Sequence, residues 1–466
     1  MSGSGAPKRP AQVSDRSLTT ATLERPGTGV LSATSDIFTA SASLPTASPE
    51  TQPSSMHSLG FTFTLLFIFL RFSYVHEFIS SNIDVDTHLI IITGAPAYLF
   101  TLLSGRIFVG LRDACTRLWL CFAAWMTFAG IGSYWHAGSL PWVLGFLENT
   151  APVILIIPAL AVTRKHVHLL VSSVGLGCIT TILLGFIDKD YFGGREYVAA
   201  KGSDIQDPND FAAHVILMLP ALAYFTLRRG RSPFVKAIGL AVMAIGFIEI
   251  LSTGSRGGVV GLAASLLCVL IVAKPRVRFG LLAGLPVAAA LLLPFVPGSS
   301  VSRLKTVFSE DDPNSESAVS REARRELLQE SWNITLQHPV FGVGPGVFME
   351  FQADDVKGSG IKGMWHVTHN AYTQISSECG IPAALFYIGA LAATFLTLWK
   401  SAKVGDPVFT PICHTLMVML AGFCVCLFFL SIGYNVQIIA LGGIAVCIRS
   451  ILRSEGKLDA VKTPAF

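Results

Sequence analysis

FVKAIGLAVMAIGFIEILSTGSRGGVVGLAASLLCVLIVA, residues 234–273, holds two apolar runs, 234–252 and 258–273, parted by Gly254-Ser255-Arg256-Gly257-Gly258. Each run approaches the roughly 20 helical residues needed to cross a hydrocarbon core about 30 Å thick, so the stretch reads as two membrane helices joined by a tight turn. Arg256 then sits at the bilayer surface. The same pattern recurs along the chain, at 59–79, 88–104, 117–136, 141–162, 167–187, 210–227, 234–252, 258–273, 279–297, 381–399, 410–430 and 433–449, about twelve spans in all.

Composition agrees. A chain of 466 residues that is 52% hydrophobic, 14% charged and of mean hydropathy +0.58 has more apolar surface than a soluble core can hide. The fold class expected is an all-α polytopic membrane protein with about twelve transmembrane helices and a large helical extracytoplasmic loop between helices 9 and 10. The formal charge of +4 is small, and no nucleic-acid partner is expected. Nine cysteines lie mostly inside apolar runs, without the spacing of a zinc site or a disulfide framework. They read as small hydrophobes.

Residues 1–57 are rich in Ser, Thr, Ala, Pro and Gly, cannot offset their ordering entropy by burial, and read as a disordered cytoplasmic tail. The first apolar run, near Leu59, begins too late for a secretory signal and is expected to remain as an anchor. Residues 58–450 form the membrane domain, and 451–466 a cytoplasmic tail. Arg106/Arg112/Arg117, Arg164/Lys165, Arg228/Arg229/Arg231/Lys236, Lys274/Arg276/Arg278, Lys400/Lys403 and Arg449/Arg453/Lys457/Lys462 occupy alternate connections. Positive loops stay cytoplasmic, which turns 188–209, the Arg256 turn and 298–380 outward.

Three polar runs face that outer side: the Arg256 turn, 321–339, and His366-Val367-Thr368-His369-Asn370-Ala371-Tyr372 with Glu378 and Gly380 beyond. From 320 to 337 the period is helical, with Leu327, Leu328, Trp332, Ile334 and Leu336 on one side and Arg324 near its middle. A guanidinium there needs an anion or the lipid boundary, whereas Arg321 and Arg325 lie at the flank, within reach of Glu322, Glu326 or Gln329. Anchoring to lipid phosphates is the alternative for these arginines and for Arg256. Between its glycines, Arg256 suits a bidentate contact to diphosphate. Phe341-Gly342-Val343-Gly344-Pro345-Gly346 reads as a structural turn. His369 can act as a general base toward a sugar hydroxyl, with a lone structural histidine as the alternative. His366 and His369 lack a third ligand, so no metal site is expected. A transporter with Glu148, Asn149, His214 and Glu249 along its path is the rival, but no internal repeat is visible and the polar chemistry gathers at the surface.

Ser255-Arg256-Gly257-Gly258, the block from Arg324 to Pro339 ending in Pro-Val-Phe-Gly-Val-Gly, His369-Asn370-Ala371-Tyr372 with Glu378-Cys379-Gly380, and Asp207-Pro208-Asn209-Asp210 together resemble the O-antigen ligase and O-antigen polymerase superfamily, over roughly residues 90–450. The resemblance implies a GT-C-like glycosyltransferase of the bacterial inner membrane, working on the periplasmic side without metal or cofactor and inverting the anomeric centre. Its donor would be a glycan on undecaprenyl diphosphate, and its acceptor lipid A-core or a growing polysaccharide. Carried over by motif, Arg256 and Arg324 would bind the diphosphate and His369 would activate the acceptor hydroxyl, with Arg321, Asn370, Tyr372, Glu378 and Asn209 as substrate-binding candidates. Asp207 and Asn209 fit a helix cap near Phe211 better than a substrate contact. Leu328 stands where the family often has tryptophan, and the neighbouring arginines blur the register; the spacing to Pro339 favours Arg324. Ligase-type transfer is the favoured expectation, with polymerase next and protein O-oligosaccharyltransferase sharing the same donor end.

Overall fold

Caps and prolines punctuate the apolar runs. Asp113, Asp207, Ser232, Ser255, Asn370 and Asn435 each precede a helix and accept a first-turn N–H through the side chain, satisfying a donor that the helix itself leaves open. Pro208, Pro233 and Pro275 then open three of the helices, where a missing N–H is harmless.

The computed structural model describes residues 55–187, 190–192, 195–197, 205, 207–305, 316–358 and 367–458. Its helices are α1 (Ser55–Ser73), α2 (Val75–Ile83), α3 (Leu89–Leu103), α4 (Ala114–Ile131), α5 (His136–Asn149), α6 (Val153–Leu160), α7 (Arg164–Ile187), α8 (Pro208–Leu227), α9 (Pro233–Ser252), α10 (Arg256–Val272), α11 (Pro275–Leu292), α12 (Gly298–Lys305), α13 (Glu316–Gln337), α14 (Phe348–Gly358), α15 (Ala371–Ala402), α16 (Phe409–Cys426) and α17 (Val436–Ser454). Between α7 and α8 lies a two-stranded antiparallel hairpin, β1 (Asp190–Phe192) with β2 (Arg195–Tyr197), in the register Phe192↔Arg195. The hairpin is a local departure from the all-helical expectation.

Among the described residues ten helical segments are long and apolar enough to cross a membrane, α5 and α6 counting as one. The spans expected at 88–104 and 258–273 are the shorter apolar helices α3, of 15 residues, and α10, of 17. Most of the expected tails, 1–54 and 459–466, lies outside the described residues, while residues 55–57 already belong to α1. The segment 298–380, expected as a large helical loop, contains among its described residues α12, α13, α14 and the start of α15, which is kinked at Gly380 (φ 84°, ψ 171°).

The expected apolar face of α13 needs correction. Leu327, Ser331, Ile334 and Thr335 are buried, whereas Leu328, Trp332 and Leu336 are 42%, 54% and 57% exposed. The helix docks on α15 through small side chains, Thr335 and Ser376 sharing a hydroxyl hydrogen bond of 2.8 Å, and the bulky residues turn outward. At the centre of the bundle α8 is buried along nearly its whole length, packed by α7, α9, α10 and α16. It has no polar face to show, as a helix apolar all round requires. α11, with Val277 its one buried residue, lies at the periphery.

Alternate helix ends meet on opposite faces, matching the rhythm of basic connections. On the basic face Arg164 at the start of α7 donates two 2.8 Å hydrogen bonds to Asp406, between α15 and α16, and Lys457, after α17, adds a third at 2.9 Å. On the other face Tyr134 N–H meets the Val343 carbonyl at 2.8 Å, and Arg195 meets Thr253. Burial pushes the Asp406 carboxyl up, but the bonds from Arg164 and Lys457 prevail and hold it well below the usual carboxylate range. A depressed carboxylate stabilises the fold above its unfolded value, and that contribution is lost as the pH falls through the folded value. Asp406→Asn should therefore lower stability by about 3 kcal/mol near neutrality. Thermal unfolding in detergent should show the gap from wild type narrowing as the pH drops below about 4.

Candidate functional site

On the face opposite the Asp406 cluster, four helix ends and the hairpin bring arginines together. Gly254 takes φ 57°, Ser255 Oγ accepts the Gly258 N–H at 3.1 Å, and Arg256 becomes the first residue of α10. A helix N-terminus beside a guanidinium favours an anion twice over. Arg324 stands one turn before Leu327 on the docking face of α13 and is half-buried, while Arg321 and Arg325 are exposed. Of the three arginines, Arg324 is the one turned toward the bundle.

Arg195, on β2, is buried: its Nε donates to the Thr253 carbonyl at 2.5 Å and its Nη2 to Asn209 Oδ1 at 2.7 Å. Asn209 is held in turn by Asp207, whose carboxylate accepts the Asn209 side-chain amide at 3.0 Å and the backbone N–H groups of Asn209 and Asp210 at 2.6 and 3.0 Å. The cap at the start of α8 thus presents Asp207 toward the arginines. Burial pushes the Arg195 guanidinium down to about 10, with Arg303, Arg324 and Arg256 pressing the same way and Asp207 opposing them. Burial also lowers Arg324, which feels Asp207, Arg256 and Arg303. Arg195 and Arg324 therefore each feel Arg256 and Arg303, with Asp207 as the counter-charge they share.

Asp207 also lines a cavity of about 700 Å³ whose wall includes His369, Glu378, Asp210, Arg71, Trp142 and Tyr434. His369 takes φ 50°, an uncommon conformation for a residue with a Cβ. It is fixed from both sides. Its N–H donates to Ser431 Oγ at 2.7 Å, and the next residue, Asn370, caps α15 by accepting the N–H groups of Tyr372 and Thr373 at 2.9 and 3.1 Å. Glu378 is buried and accepts the Tyr434 hydroxyl at 2.6 Å and the Gly346 N–H at 2.8 Å, tying the glycine-rich turn to α15. The turn needs its glycines: at Gly344 (φ 120°) a Cβ would lie 2.0 Å from Ser133 Oγ.

Of the residues singled out from sequence, Arg256 and Arg324 share one electrostatic cluster, and His369 and Glu378 share one cavity; Asp207 belongs to both. Asn209 reaches the site by orienting Arg195. The candidate substrate contacts Asn370 and Tyr372 have other work: Asn370 is the α15 cap, and the Tyr372 hydroxyl donates to the Cys424 carbonyl at 2.8 Å. Arg321 projects from the exposed flank. His366 lies outside the described residues, among which no group of three His, Cys, Asp or Glu side chains is placed to hold a metal. Sequence reasoning missed Arg195, Arg303 and Arg71. The one local signal at Arg195 is the Gly193-Gly194 pair before it; a lone loop arginine has no period to betray it.

Fold and site define a multi-pass helical membrane protein with a cluster of arginines beside a cavity lined by His369. Residues 239–388 match the model of a family described as O-antigen ligase. The resemblance carried by the motifs therefore holds over the stretch containing Arg256, Arg324, His369 and Glu378, while Arg195, Asp207 and Asn209 precede it. Among curated proteins the chain is similar to teichuronic acid biosynthesis protein TuaE of Bacillus subtilis (strain 168), 23% identical over 306 residues, 60% of either chain. The match thus spans about 60% of that relative's length. A solved chain from a peptidoglycan synthase complex aligns over 72% of this chain and 97% of its own, at 15% identity and TM-score 0.39, which carries no argument about fold or function.

The geometry predicts anion binding. Inorganic pyrophosphate titrated against the detergent-solubilised protein should bind the wild type, and Arg324→Gln or Arg195→Gln should weaken it by about tenfold or more, the value of a charge-assisted bond. Arg321→Gln should change it less than about threefold, as for an exposed charge.

Proposed function

We propose that the protein is a glycosyltransferase that moves a glycan from undecaprenyl diphosphate to an acceptor hydroxyl on the periplasmic side of the bacterial inner membrane. The observation that carries this reading is the position of Asp207, whose charge acts on Arg195 and Arg324 and which also lines the cavity of His369. The family match over 239–388 supports the same reading.

The chemistry follows from those neighbours. Arg256, Arg324, Arg195 and Arg303 would hold the donor diphosphate and offset the charge that grows on it as the C1–O bond breaks. His369, facing the cavity from a fixed backbone, would take the proton of the acceptor hydroxyl as its oxygen bonds to C1 from the opposite face. The bonding pair of the broken bond leaves with undecaprenyl diphosphate, and the anomeric configuration inverts. No metal is assigned a part in this scheme.

Ligase-type transfer to lipid A-core remains the favoured form. Polymerisation of a growing polysaccharide is the second, supported by a relative named for teichuronic acid biosynthesis. Of the residues named for the rival transport path, His214 is engaged with the Asp210 carbonyl at 2.8 Å and the Asn435 amide at 3.4 Å inside the packed bundle, while Asn149 lines the cavity.

Reconstitution with a polyprenyl-diphosphate oligosaccharide and rival acceptors tests the reading by the product formed: core-linked lipid, longer polyprenyl-linked polymer or glycoprotein. His369→Ala should lower transfer by at least about 100-fold, the usual contribution of a positioned base, while keeping its thermal unfolding midpoint and pyrophosphate binding. Near-normal transfer by that variant would remove His369 as the base, and movement of the lipid carrier without a new glycosidic bond would favour transport.

A further inference from the structure

Arg71, in the last turn of α1, lines the same cavity as His369 yet belongs to none of the motifs above. Its backbone is clamped: Gln437 Nε2 donates to the Arg71 carbonyl at 2.9 Å and to the Tyr74 hydroxyl at 2.7 Å, where the chain turns sharply (Tyr74 φ 53°). The guanidinium Nε–H is buried without an acceptor among the described residues. Two of the carboxylates on that wall are already engaged, Asp207 as the cap of α8 and Glu378 by Tyr434 and Gly346.

The cavity thus holds a cationic side chain, Arg71, on a wall it shares with Asp207 and His369. Trp142, Phe146 and Tyr434 supply an aromatic wall, with ring centroids of Trp142 and Phe146 at 5.9 and 6.2 Å from Tyr434. Aromatic faces suit the C–H faces of a pyranose, and a guanidinium fork suits a carboxylate. We propose that Arg71 receives the carboxylate of an acidic sugar, making this a site for anionic glycans. The inference rests on the reading of the cavity as a glycan site and adds the substrate class.

The test uses matched pairs differing only at C6. One pair is polyprenyl-diphosphate disaccharides ending in glucuronic acid or glucose; the other is acceptor disaccharides with the same difference. The purified full chain in nanodiscs should favour the acidic member of one pair by about 10- to 100-fold in kcat/KM, and which pair shows it tells whether the carboxylate is on donor or acceptor. Arg71→Gln should abolish that preference through the acidic substrate, the neutral one changing less than about threefold, and Arg71→Lys should restore part of it. Equal rates for both members in the wild type, a preference that survives Arg71→Gln, or an equal loss on both members overturns the proposal. Quenching of tryptophan fluorescence by the free glucuronate disaccharide gives an independent reading. Arg71-dependent binding without any product would sink the transferase reading and leave the acidic-sugar site standing, whereas product without any acidic preference would do the reverse.

Discussion

Crowding of like charge is the constraint on which the rest of the site depends. Two guanidiniums about 6 Å apart repel by roughly 3 kcal/mol at an effective dielectric of about 20, and here Arg195 and Arg324 each feel Arg256 and Arg303, with Asp207 as the counter-charge. A fold tolerates such a group only where surrounding structure holds it in place. Arg195 is fixed by the Thr253 carbonyl and Asn209, Arg256 by the start of α10, and Arg324 by the docking of α13 on α15. Under the proposed function, the repulsion left over would be relieved by the multiply charged diphosphate of the donor.

Backbone approach is the second requirement. The turn after α13 lies so close to its neighbours that Val343 and Gly344 donate N–H bonds to the Ser377 and Glu378 carbonyls at 2.9 and 2.8 Å. At the Gly380 kink a Cβ would come within 2.0 Å of the Val340 carbonyl oxygen. These contacts place Glu378 beneath Gly346 and so define one wall of the cavity. A side chain at Gly380 would separate α15 from the turn, and the cavity that contains His369 would lose that wall.

Much of this was legible in the sequence because membrane physics is simple. Long apolar runs and one-sided Lys and Arg placement locate helices and pair their ends, and Arg256, Arg324, His369 and Glu378 stand out because each interrupts that pattern. What was hidden has physical causes. The face of α13 was misjudged because hydrophobic size was taken as the sign of burial, whereas Ser331 and Thr335 allow the closer approach; close helix packing around a membrane bundle favours small side chains. The span expected at 59–79 is broken at Tyr74 by a positive φ that no glycine announces. Arg195 and Arg303 came from connections that looked variable, and a short hairpin or helix has too few residues for its pattern to be read. Asn370 and Tyr372 were grouped with the site by their neighbour His369, but adjacency along a chain that turns into a helix sends successive side chains in different directions.

The start of α8 joins the two halves of the site. Asp207 spans them: its carboxylate caps α8 while counterbalancing the arginines, and its side chain also reaches the His369 cavity. Asp210, one turn along, lines the same cavity, and its carbonyl accepts from His214, which packs edge-on against Tyr74 at the end of α1. Because α8 is the most enclosed helix of the bundle, its N-terminus cannot shift without disturbing α7, α9, α10 and α16 together. The place of Asp207 is therefore tied to the packed core, while Arg195, Arg303 and Arg324 are brought to it by the hairpin, α12 and α13. The transfer proposed above, with a leaving group and a base on opposite sides of one carbon, would gain most from such a fixed reference point.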